Sequence, residues 1–469
     1  MRITSVMIRV IVGMAVTAGQ AVGDSLVLEG GSLYQGTGTT PVEDAVVVIE
    51  GDEIDCVGSR DDCAVPEHAE REDLSGYWLM PGLVDTHVHL WQTGFFDSRP
   101  DAADLRDELP YMEVQTRQRT DPDRYFDAWL CSGITAAFDV GGYPWSVDLT
   151  RTVEEKEGKP HLAATGPLIS HEPREIMNLP GEKVMLPMDG EDMAIEAVDY
   201  IDSLGADAVK LWFLPVEDPE RQEAIDARVQ ALAEATADHD LPLLAHATTL
   251  REAKVAVEVG ADVLVHGVFD EVVDEAFLDA AEQAEVIYVP TMIVSGGYLD
   301  AFRAMTGDEA FPLDDPHDCI DADTRDLLEN ADRFAGHDEA LQRDEAWQEA
   351  FAERIATQEE VMAENLRRVQ EAGIDIAVGT DAGNPGTVHG PSIYAELEAM
   401  QAAGLEAQEL IPMATRQGAR VMGRGDAFGT LEAGQAADLI VLEADPGEDI
   451  THLRELAGVM RGGGWLREP

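Results

Sequence analysis

Between residues 81 and about 423, short apolar segments alternate with helical stretches, and this alternation restricts the fold more than any other feature. Helical stretches such as 194–204, 221–238 and 361–372 separate most of the apolar segments. Strands that alternate with helices pair as parallel βα units, so the class is α/β. Eight such units predict a (β/α)8 TIM barrel, whose active site lies at the carboxyl ends of the strands. The predicted strands are 83–90, 134–140, 162–168, 208–213, 241–246, 263–267, 286–292 and 375–380.

Two short β-rich regions flank the barrel at opposite ends of the chain. Residues 25–77 contain short apolar runs broken by turns, with Gly51-Asp52 as a hairpin signal, and residues 437–460 repeat the pattern. Each region is too small to be stable alone, so we expect the two to pair. The predicted division is a small β-sandwich domain from 24–80 plus 424–469, and a barrel domain from 81–423.

One connection of the barrel is unusually long. Residues 295–355, after the seventh predicted strand, are polar and helix-prone, with Pro312 and Pro316 in the middle. Long insertions on this face of a barrel act as lids or specificity elements. An inert surface elaboration is the alternative, and the sequence leaves both open.

The amino terminus has the pattern of a secretory signal peptide. Arg2 and Arg9 precede an apolar run at 10–16, and small residues near 21–23 form a cleavage site. The run is too short to span a bilayer, and a buried amino-terminal segment is the alternative. Residues 1–23 therefore predict an exported protein, periplasmic or secreted, with no integral membrane segment after cleavage.

The charge balance is strongly acidic. The chain has 93 acidic against 32 basic residues, a net charge of −61, and only five lysines. Such a charge destabilises the compact state by self-repulsion unless salt screens it. The acids are spread from residue 43 to the end, which favours a halophilic protein over one with a specific basic partner. Nucleic acid and anionic membranes are not expected as partners, and the sequence leaves open a homo-oligomer.

Export makes the four cysteines candidates for disulfides. Cys56 and Cys63 flank a turn-like segment and could close a small loop. Cys131 has apolar neighbours and is predicted to be a buried structural thiol, while Cys319 stays unassigned. No CxxC spacing exists, which argues against a zinc–thiolate site.

Two histidines one residue apart lie in the first predicted strand of the barrel. Side chains two apart on a strand point to the same face, so His87 and His89 would present two imidazoles to one metal ion. An amphipathic strand with two incidental histidines is the alternative. The chain has only 12 histidines in 469 residues, which favours the metal-binding interpretation.

Lys210 lies in the middle of an apolar strand in a chain that has almost eliminated lysine. Burial lowers a lysine pKa and leaves a neutral amine. Such an amine can react with CO2 to give a carbamate, an oxygen ligand able to bridge two metals. A lysine that extends to the surface, or pairs with an internal acid, is the alternative.

Three further predicted strands end in potential ligands. His246 and His266 each end an apolar strand, and Asp381 ends the eighth. Alone, each histidine would be read as a core residue and the aspartate as a helix N-cap. Together, six candidate ligands lie at or near strand ends that face one barrel mouth: His87, His89, Lys210, His246, His266 and Asp381.

These residues resemble the metal-dependent amidohydrolase superfamily, and within it the imidazolonepropionase-like and Xaa-Pro dipeptidase (prolidase-like) group. The resemblance covers about 25–469. The motifs that carry it are Pro81-Gly82-Leu83-Val84-Asp85-Thr86-His87-Val88-His89, Val209-Lys210, His246, His266-Gly267, Gly379-Thr380-Asp381-Ala382-Gly383 and Leu431-Glu432-Ala433-Gly434-Gln435-Ala436-Ala437-Asp438-Leu439.

The resemblance implies a binuclear centre. His87, His89 and Asp381 would hold one divalent ion, His246 and His266 the other, and Lys210 as its carbamate would bridge them. Zinc is the metal favoured by ligands that are mainly imidazole and carboxylate. The two ions would share a hydroxide, and Asp381 would be the catalytic acid–base. The Lys210 match separates the chain from imidazolonepropionase itself and from the deaminases.

The family analogy points to hydrolysis of a C–N amide bond in a dipeptide or an N-acyl amino acid. A cyclic-amide (lactam or imidazolone-type) or ester hydrolase on the same site is the alternative. A non-enzymatic metal-dependent binding protein is the third interpretation, against which the complete ligand set argues. Candidate substrate contacts are His171, Tyr288 and His389, each of which has a purely structural alternative.

Overall fold

The computed structural model describes residues 25–38, 40–154, 156–307, 309–336 and 345–469, so the predicted signal peptide lies outside the described residues. Two sheets are built from both chain ends. The first has the order β4-β3-β1-β5 and the second the order β18-β17-β16-β6-β2. Their strands are β1 (Ser25–Glu29), β2 (Ser32–Leu33), β3 (Ala45–Glu50), β4 (Glu53–Ser59), β5 (Glu70–Asp73), β6 (Trp78–Pro81), β16 (Leu439–Leu442), β17 (Leu456–Arg461) and β18 (Gly464–Arg467).

The antiparallel pair of β6 and β16 joins the two ends of the chain, with Leu439 opposite Pro81. Apolar side chains from both sheets form one cluster that includes Leu28, Val47 and Val441. Because alternate residues of each strand face this cluster, the two sheets pack as the predicted β-sandwich.

Parallel strands form the second architecture. A three-stranded sheet has the order β7-β8-β9, and a six-stranded sheet has the order β11-β10-β12-β13-β14-β15. The strands are β7 (Leu83–Val88), β8 (Ile134–Asp139), β9 (His161–Ala164), β10 (Leu168–Ser170), β11 (Met185–Pro187), β12 (Val209–Trp212), β13 (Leu243–His246), β14 (Val263–Val265) and β15 (Ile287–Val289).

Backbone hydrogen bonds connect the two parallel sheets at both edges. The Asp207 N–H donates to the Ala164 carbonyl (3.0 Å), which joins β9 to the start of β12. On the other side the Tyr288 N–H donates to the Asp375 carbonyl (2.8 Å) and the Asp381 N–H to the His87 carbonyl (2.7 Å). The eighth predicted strand therefore lies between β15 and β7, in agreement with the predicted barrel. The third predicted strand is split into β9 and β10, where Gly166 adopts a left-handed φ of +65°.

Thirteen α-helices lie within the described ranges, and none of these is both long and apolar enough to cross a bilayer. The stretches predicted as helical at 194–204 and 221–238 fall in α4 and α5, and 361–372 overlaps the end of α10. The helices are α1 (Tyr111–Thr120), α2 (Asp123–Cys131), α3 (Pro144–Glu154), α4 (Glu191–Leu204), α5 (Pro219–Asp238), α6 (Leu250–Glu258), α7 (Glu275–Gln283), α8 (Val294–Thr306), α9 (Ala322–Glu329), α10 (Glu345–Glu371), α11 (Ser392–Ala402), α12 (Ala407–Met413) and α13 (Arg416–Val421).

The long connection after β15 contains α8, α9 and the start of α10. It packs through Phe302, Leu328 and Phe334 on Phe95 and Phe96 of the loop that follows β7. This insertion is thus part of a second apolar core above the barrel mouth, in contact with the loop that leads away from His89.

Two disulfides are present. Cys56–Cys63 closes the small loop in the sandwich domain. Cys131 bonds to Cys319, so the prediction of a buried thiol at Cys131 was wrong. The apolar neighbours of Cys131 reflect its place at the end of α2, where the insertion approaches the barrel, and the disulfide links the two.

Candidate metal centre

All six predicted ligands line one cavity of about 360 Å³ at the barrel mouth. His87 lies in β7, Lys210 in β12 and His246 at the end of β13, while His266 directly follows β14. Parallel strands bring their carboxyl ends to the same face, which is why residues so distant in sequence meet here.

His87, His89 and Asp381 form the tightest group. Oδ1 of Asp381 lies 2.9 Å from Nε2 of His89 and 3.4 Å from Nε2 of His87. One ligand atom from each residue lies within 4.8 Å of the others, close enough to share one ion. Nδ1 of His89 is 2.8 Å from the Gly141 carbonyl oxygen, to which it can only donate. That hydrogen bond leaves the Nε2 lone pair free to bind a metal.

His246 and His266 lie beside this group. Their ring centroids are 4.3 Å apart, and the ring of His266 is 4.9 Å from that of His87. Nδ1 of His266 is 2.8 Å from Oγ1 of Thr291 and 3.9 Å from Oδ2 of Asp381. His266 and Thr291 both have positive φ, +76° and +45°, a strained backbone that recurs at functional sites.

Lys210 is only 1% exposed, and its Nζ has no hydrogen-bond partner among the described residues. Burial lowers the pKa of Lys210 to about 7, so a large fraction of the amine is neutral near neutral pH. A buried neutral amine is the form that can react with CO2 to give a carbamate.

Burial also lowers the pKa values of His87, His246 and His266 well below the ordinary range. Neighbouring charge acts in the same direction, from Lys210 on His87 and on His246. Neutral imidazole is the form that binds a metal ion.

The residues fit a metal centre. Both ring nitrogens of His87 are buried without a hydrogen-bond partner in the described structure, as is Nζ of Lys210. Unpaired buried polar atoms are costly and rare in folded proteins. A divalent ion would satisfy one ring nitrogen of His87, and a metal-bound carbamate would replace the unpaired amine of Lys210.

The remaining cavity wall is mostly apolar, with several polar side chains that the sequence did not single out. Its apolar part includes Trp91, Leu168, Met177, Met185, Trp212 and Phe269. The polar residues are Gln92, Arg99, Thr248, Thr291, Ser295, Tyr298 and Asn384. Asn384 follows the Gly379–Gly383 motif closely enough to have been a candidate, whereas nothing in the sequence marks Arg99 or Tyr298.

The three candidate substrate contacts are not among the residues that line this cavity. The Tyr288 hydroxyl accepts a hydrogen bond from the Val268 N–H (2.8 Å) inside the core. His389 packs on Tyr125 with ring centroids 4.0 Å apart, and its Nε2 is 3.3 Å from the Gln92 carbonyl oxygen. His171 is buried with its ring edge towards Phe213. The structure thus places all three outside the residues that line the cavity.

Comparison with known sequences identifies one family over most of the chain. The sequence model of the Amidohydrolase family matches residues 78–466. Among curated proteins, the imidazolonepropionase of Pseudomonas paraeruginosa is 50% identical over 48 residues, which is 10% of this chain and 12% of that relative. The imidazolonepropionase of Syntrophobacter fumaroxidans is 40% identical over 78 residues, 16% of this chain and 18% of the relative. These matches span less than a fifth of either relative's length.

Solved structures resemble the chain over nearly its whole length. A Xaa-Pro dipeptidase with methionine in its active site has a TM-score of 0.68 at 20% identity, covering 94% of this chain and 100% of that one. A prolidase complexed with N-methylphosphonate-L-proline has a TM-score of 0.67 at 20% identity, covering 95% and 100%. The ochratoxinase of A. niger has a TM-score of 0.68 at 19% identity, covering 95% and 96%. At this identity the likeness establishes the fold.

Proposed function

Because the chain belongs to the amidohydrolase family, we propose that it is a metal-dependent hydrolase of a C–N amide bond in a dipeptide or an N-acyl amino acid. The observation that carries this proposal is the cavity in which six candidate ligands meet, with a buried and unpaired Lys210 among them. Two fold neighbours, a Xaa-Pro dipeptidase and a prolidase, support a peptide-like substrate.

In the proposed centre His87, His89 and Asp381 hold one divalent ion and His246 and His266 hold a second. Lys210, as its carbamate, would supply an oxygen ligand to both ions, and zinc would suit this ligand set. Such a pair of ions, when bound, polarises the scissile carbonyl and makes water nucleophilic at neutral pH.

The chain itself moves the proton and shapes the substrate site. Oδ1 of Asp381 faces His87 and His89, which leaves Oδ2 to accept a proton from water and return it to the leaving amine. The apolar wall excludes water from the site and offers contacts to aliphatic or aromatic side chains of the substrate.

Hydrolysis of a cyclic amide is the second candidate, favoured by the local identity to imidazolonepropionases. The same metals and Asp381 would also hydrolyse a cyclic amide or an ester. The shape of the pocket, and not the ligand set, would decide between these substrates. A metal-dependent binding protein without turnover would need the same ligands but would hydrolyse nothing.

The site of action is a separate proposal. A signal peptide at residues 1–23 and a net charge of −61 support an exported protein that works in high salt. Its partner is a small amide substrate rather than nucleic acid.

A hydrolysis screen tests the proposal. The full chain, loaded with zinc at high salt, is assayed against dipeptides, N-acyl amino acids and lactams. We expect turnover of the first two classes and its loss after chelation. Preferential turnover of lactams would favour the cyclic-amide candidate, and turnover of no class would contradict hydrolase function.

A further inference from the structure

Asn384 lies beside the proposed metal ligand Asp381, and its side-chain amide donates hydrogen bonds to that residue. Nδ2 of Asn384 donates to Oδ1 of Asp381 at 2.8 Å and to the Asp381 carbonyl at 3.2 Å. Asn384 is 4% exposed, so water does not replace these bonds. We propose that Asn384 is a positioning residue that fixes Asp381 for metal binding, which rests on the proposed role of Asp381.

The amide of Asn384 can adopt only one orientation. Its Oδ1 accepts hydrogen bonds from the Tyr298 hydroxyl (2.8 Å) and from Nη1 of Arg99. A guanidinium can only donate, so the amide oxygen must face Arg99 and the NH2 group must face Asp381. Rotating the amide would bring two donors together and leave the Asp381 carboxylate opposite an oxygen.

The two groups that fix the amide come from different parts of the chain. Arg99 lies in the loop after β7, where Nε and Nη2 donate to Asp101 at 2.8 and 3.0 Å. Tyr298 lies on α8, within the insertion. The ring of Tyr298 packs against Phe96, with centroids 6.2 Å apart. The insertion therefore takes part in the site, because its Tyr298 reaches Asp381 through Asn384.

The position of the Asp381 oxygens matters for metal binding. Oδ1 accepts from Asn384 and also faces Nε2 of His87 and of His89. A carboxylate fixed at the ligand position before metal arrives loses less rotational freedom on binding. Partners that orient metal ligands in this way typically contribute about 10- to 100-fold in metal affinity.

Asn384 could instead serve only the turn that contains it. Its carbonyl accepts from the Thr387 N–H at 2.8 Å, and Nδ2 also reaches the Asp381 carbonyl. Asn384 could also contact substrate, because it lines the cavity. A turn role predicts lost stability without lost metal affinity, and a substrate contact predicts a raised KM.

The first test compares Asn384→Asp with the wild-type full chain by zinc titration against a competing chelator. The variant keeps the oxygen that faces Arg99 and Tyr298 but places a second carboxylate against Asp381. The orienting N–H is lost, so the orientation effect alone predicts zinc binding weaker by about 10- to 100-fold. The matched control is Asn330→Asp, because Nδ2 of Asn330 donates to Oδ1 of Asp326 at 2.9 Å on the exposed insertion surface. We expect the control to bind zinc as the wild type does.

The second test is Tyr298→Phe, which removes one of the two donors to Asn384 and keeps the ring. We expect zinc affinity to fall about 2- to 10-fold, the size of one hydrogen bond. With any hydrolysed substrate, kcat should fall while KM stays unchanged, because Tyr298 acts through Asp381. The matched control is Tyr394→Phe, whose buried hydroxyl donates to the Ser132 carbonyl at 3.0 Å, outside the cavity wall.

The outcomes separate this inference from the proposed function. Unchanged zinc affinity in both Asn384→Asp and Tyr298→Phe would overturn the positioning role. So would an affinity loss matched by an equal loss of stability in the metal-free variant, or a rise in KM alone. A wild-type chain that binds no divalent metal would overturn both the positioning role and the proposed function. A chain that binds metal but hydrolyses nothing would overturn only the proposed function.

Discussion

Two buried histidines, His87 at the barrel mouth and His161 at the junction with the sandwich domain, differ in their partners. They are 0% and 5% exposed. Nε2 of His161 is 2.9 Å from Oδ2 of Asp438, and its Nδ1 is 3.1 Å from Oε1 of Glu154. Neither ring nitrogen of His87 has a hydrogen-bond partner in the described structure. Burial alone therefore does not identify a ligand. A missing partner does so only together with position, because His171 is also buried with both ring nitrogens unpaired but does not line the cavity, whereas His87 does.

The junction is a closed network of charges. Asp438 also accepts from Nη1 of Arg461 at 3.2 Å, and Glu154 pairs with Arg424. Burial alone would raise the pKa of Glu154, but hydrogen bonds from His161 and Arg424 outweigh it and lower the pKa to about 2. At the mouth, burial instead lowers the pKa values of Lys210, His87, His246 and His266, which favours their neutral, metal-binding forms. The junction serves stability and the mouth serves chemistry.

The largest effect is expected for Asp381→Asn at the mouth. The amide cannot accept the proton, so hydrolysis should fall by about 10²- to 10⁴-fold while the fold is kept. Steady-state kinetics with a hydrolysed amide, together with circular dichroism, measure this. An Asp381→Asn variant with wild-type kcat would remove Asp381 from the proposed mechanism.

Asp438→Ala should lower the stability of the protein and leave the metal centre unchanged. It leaves Arg461 without its carboxylate and removes one of the two carboxylates that His161 contacts, which we expect to cost about 3–5 kcal/mol of unfolding free energy. Denaturant unfolding at constant high salt measures this, and the metal content of the folded protein should not change. A loss of bound metal without a loss of stability would mean that the two regions are not independent.

Acid should weaken the junction through Glu154. Its folded pKa of about 2 lies below the value of 4.5 for an ordinary glutamate, so the unfolded chain takes up the proton first. Its contribution is complete above about pH 4.5 and is lost as pH falls towards 2. Unfolding free energy measured across this range should be flatter in Glu154→Gln, and an equally steep dependence would contradict the assignment.

The smallest effect is expected for an exposed ion pair. Arg106 and Asp104 form a close pair on the surface, where their side chains are 43% and 41% exposed. Arg106→Gln should change the unfolding free energy by less than about 1 kcal/mol, since water and salt screen such pairs. A loss as large as that of Asp438→Ala would show that burial does not govern these interactions.

The sequence was informative where a local pattern determines geometry. The alternation of His87 and His89 places both side chains on one strand face, and the scarcity of lysine singles out Lys210. Because strand ends of a barrel converge, these residues and Asp381 could be assigned to one mouth before the structure was known.

Contacts between distant segments could not be predicted in the same way. Cys131 and Cys319 are 188 residues apart. Asn384 meets Tyr298 because the insertion folds over the mouth, and it meets Arg99 because the loop after β7 also reaches it. Tyr288 illustrates a further limit. On β15 its neighbours Ile287 and Val289 belong to a different apolar cluster from Tyr288 itself. A strand read without its register does not reveal which face points to the cavity.

The most direct test of the central claim is the metal content of the purified chain, measured by elemental analysis after dialysis, in the wild type and in Lys210→Ala. A carbamate-bridged centre predicts close to two ions per wild-type chain, and a Lys210→Ala variant that is inactive unless a small carboxylate is added. One ion per wild-type chain, or a Lys210→Ala variant that is active without added carboxylate, would contradict it.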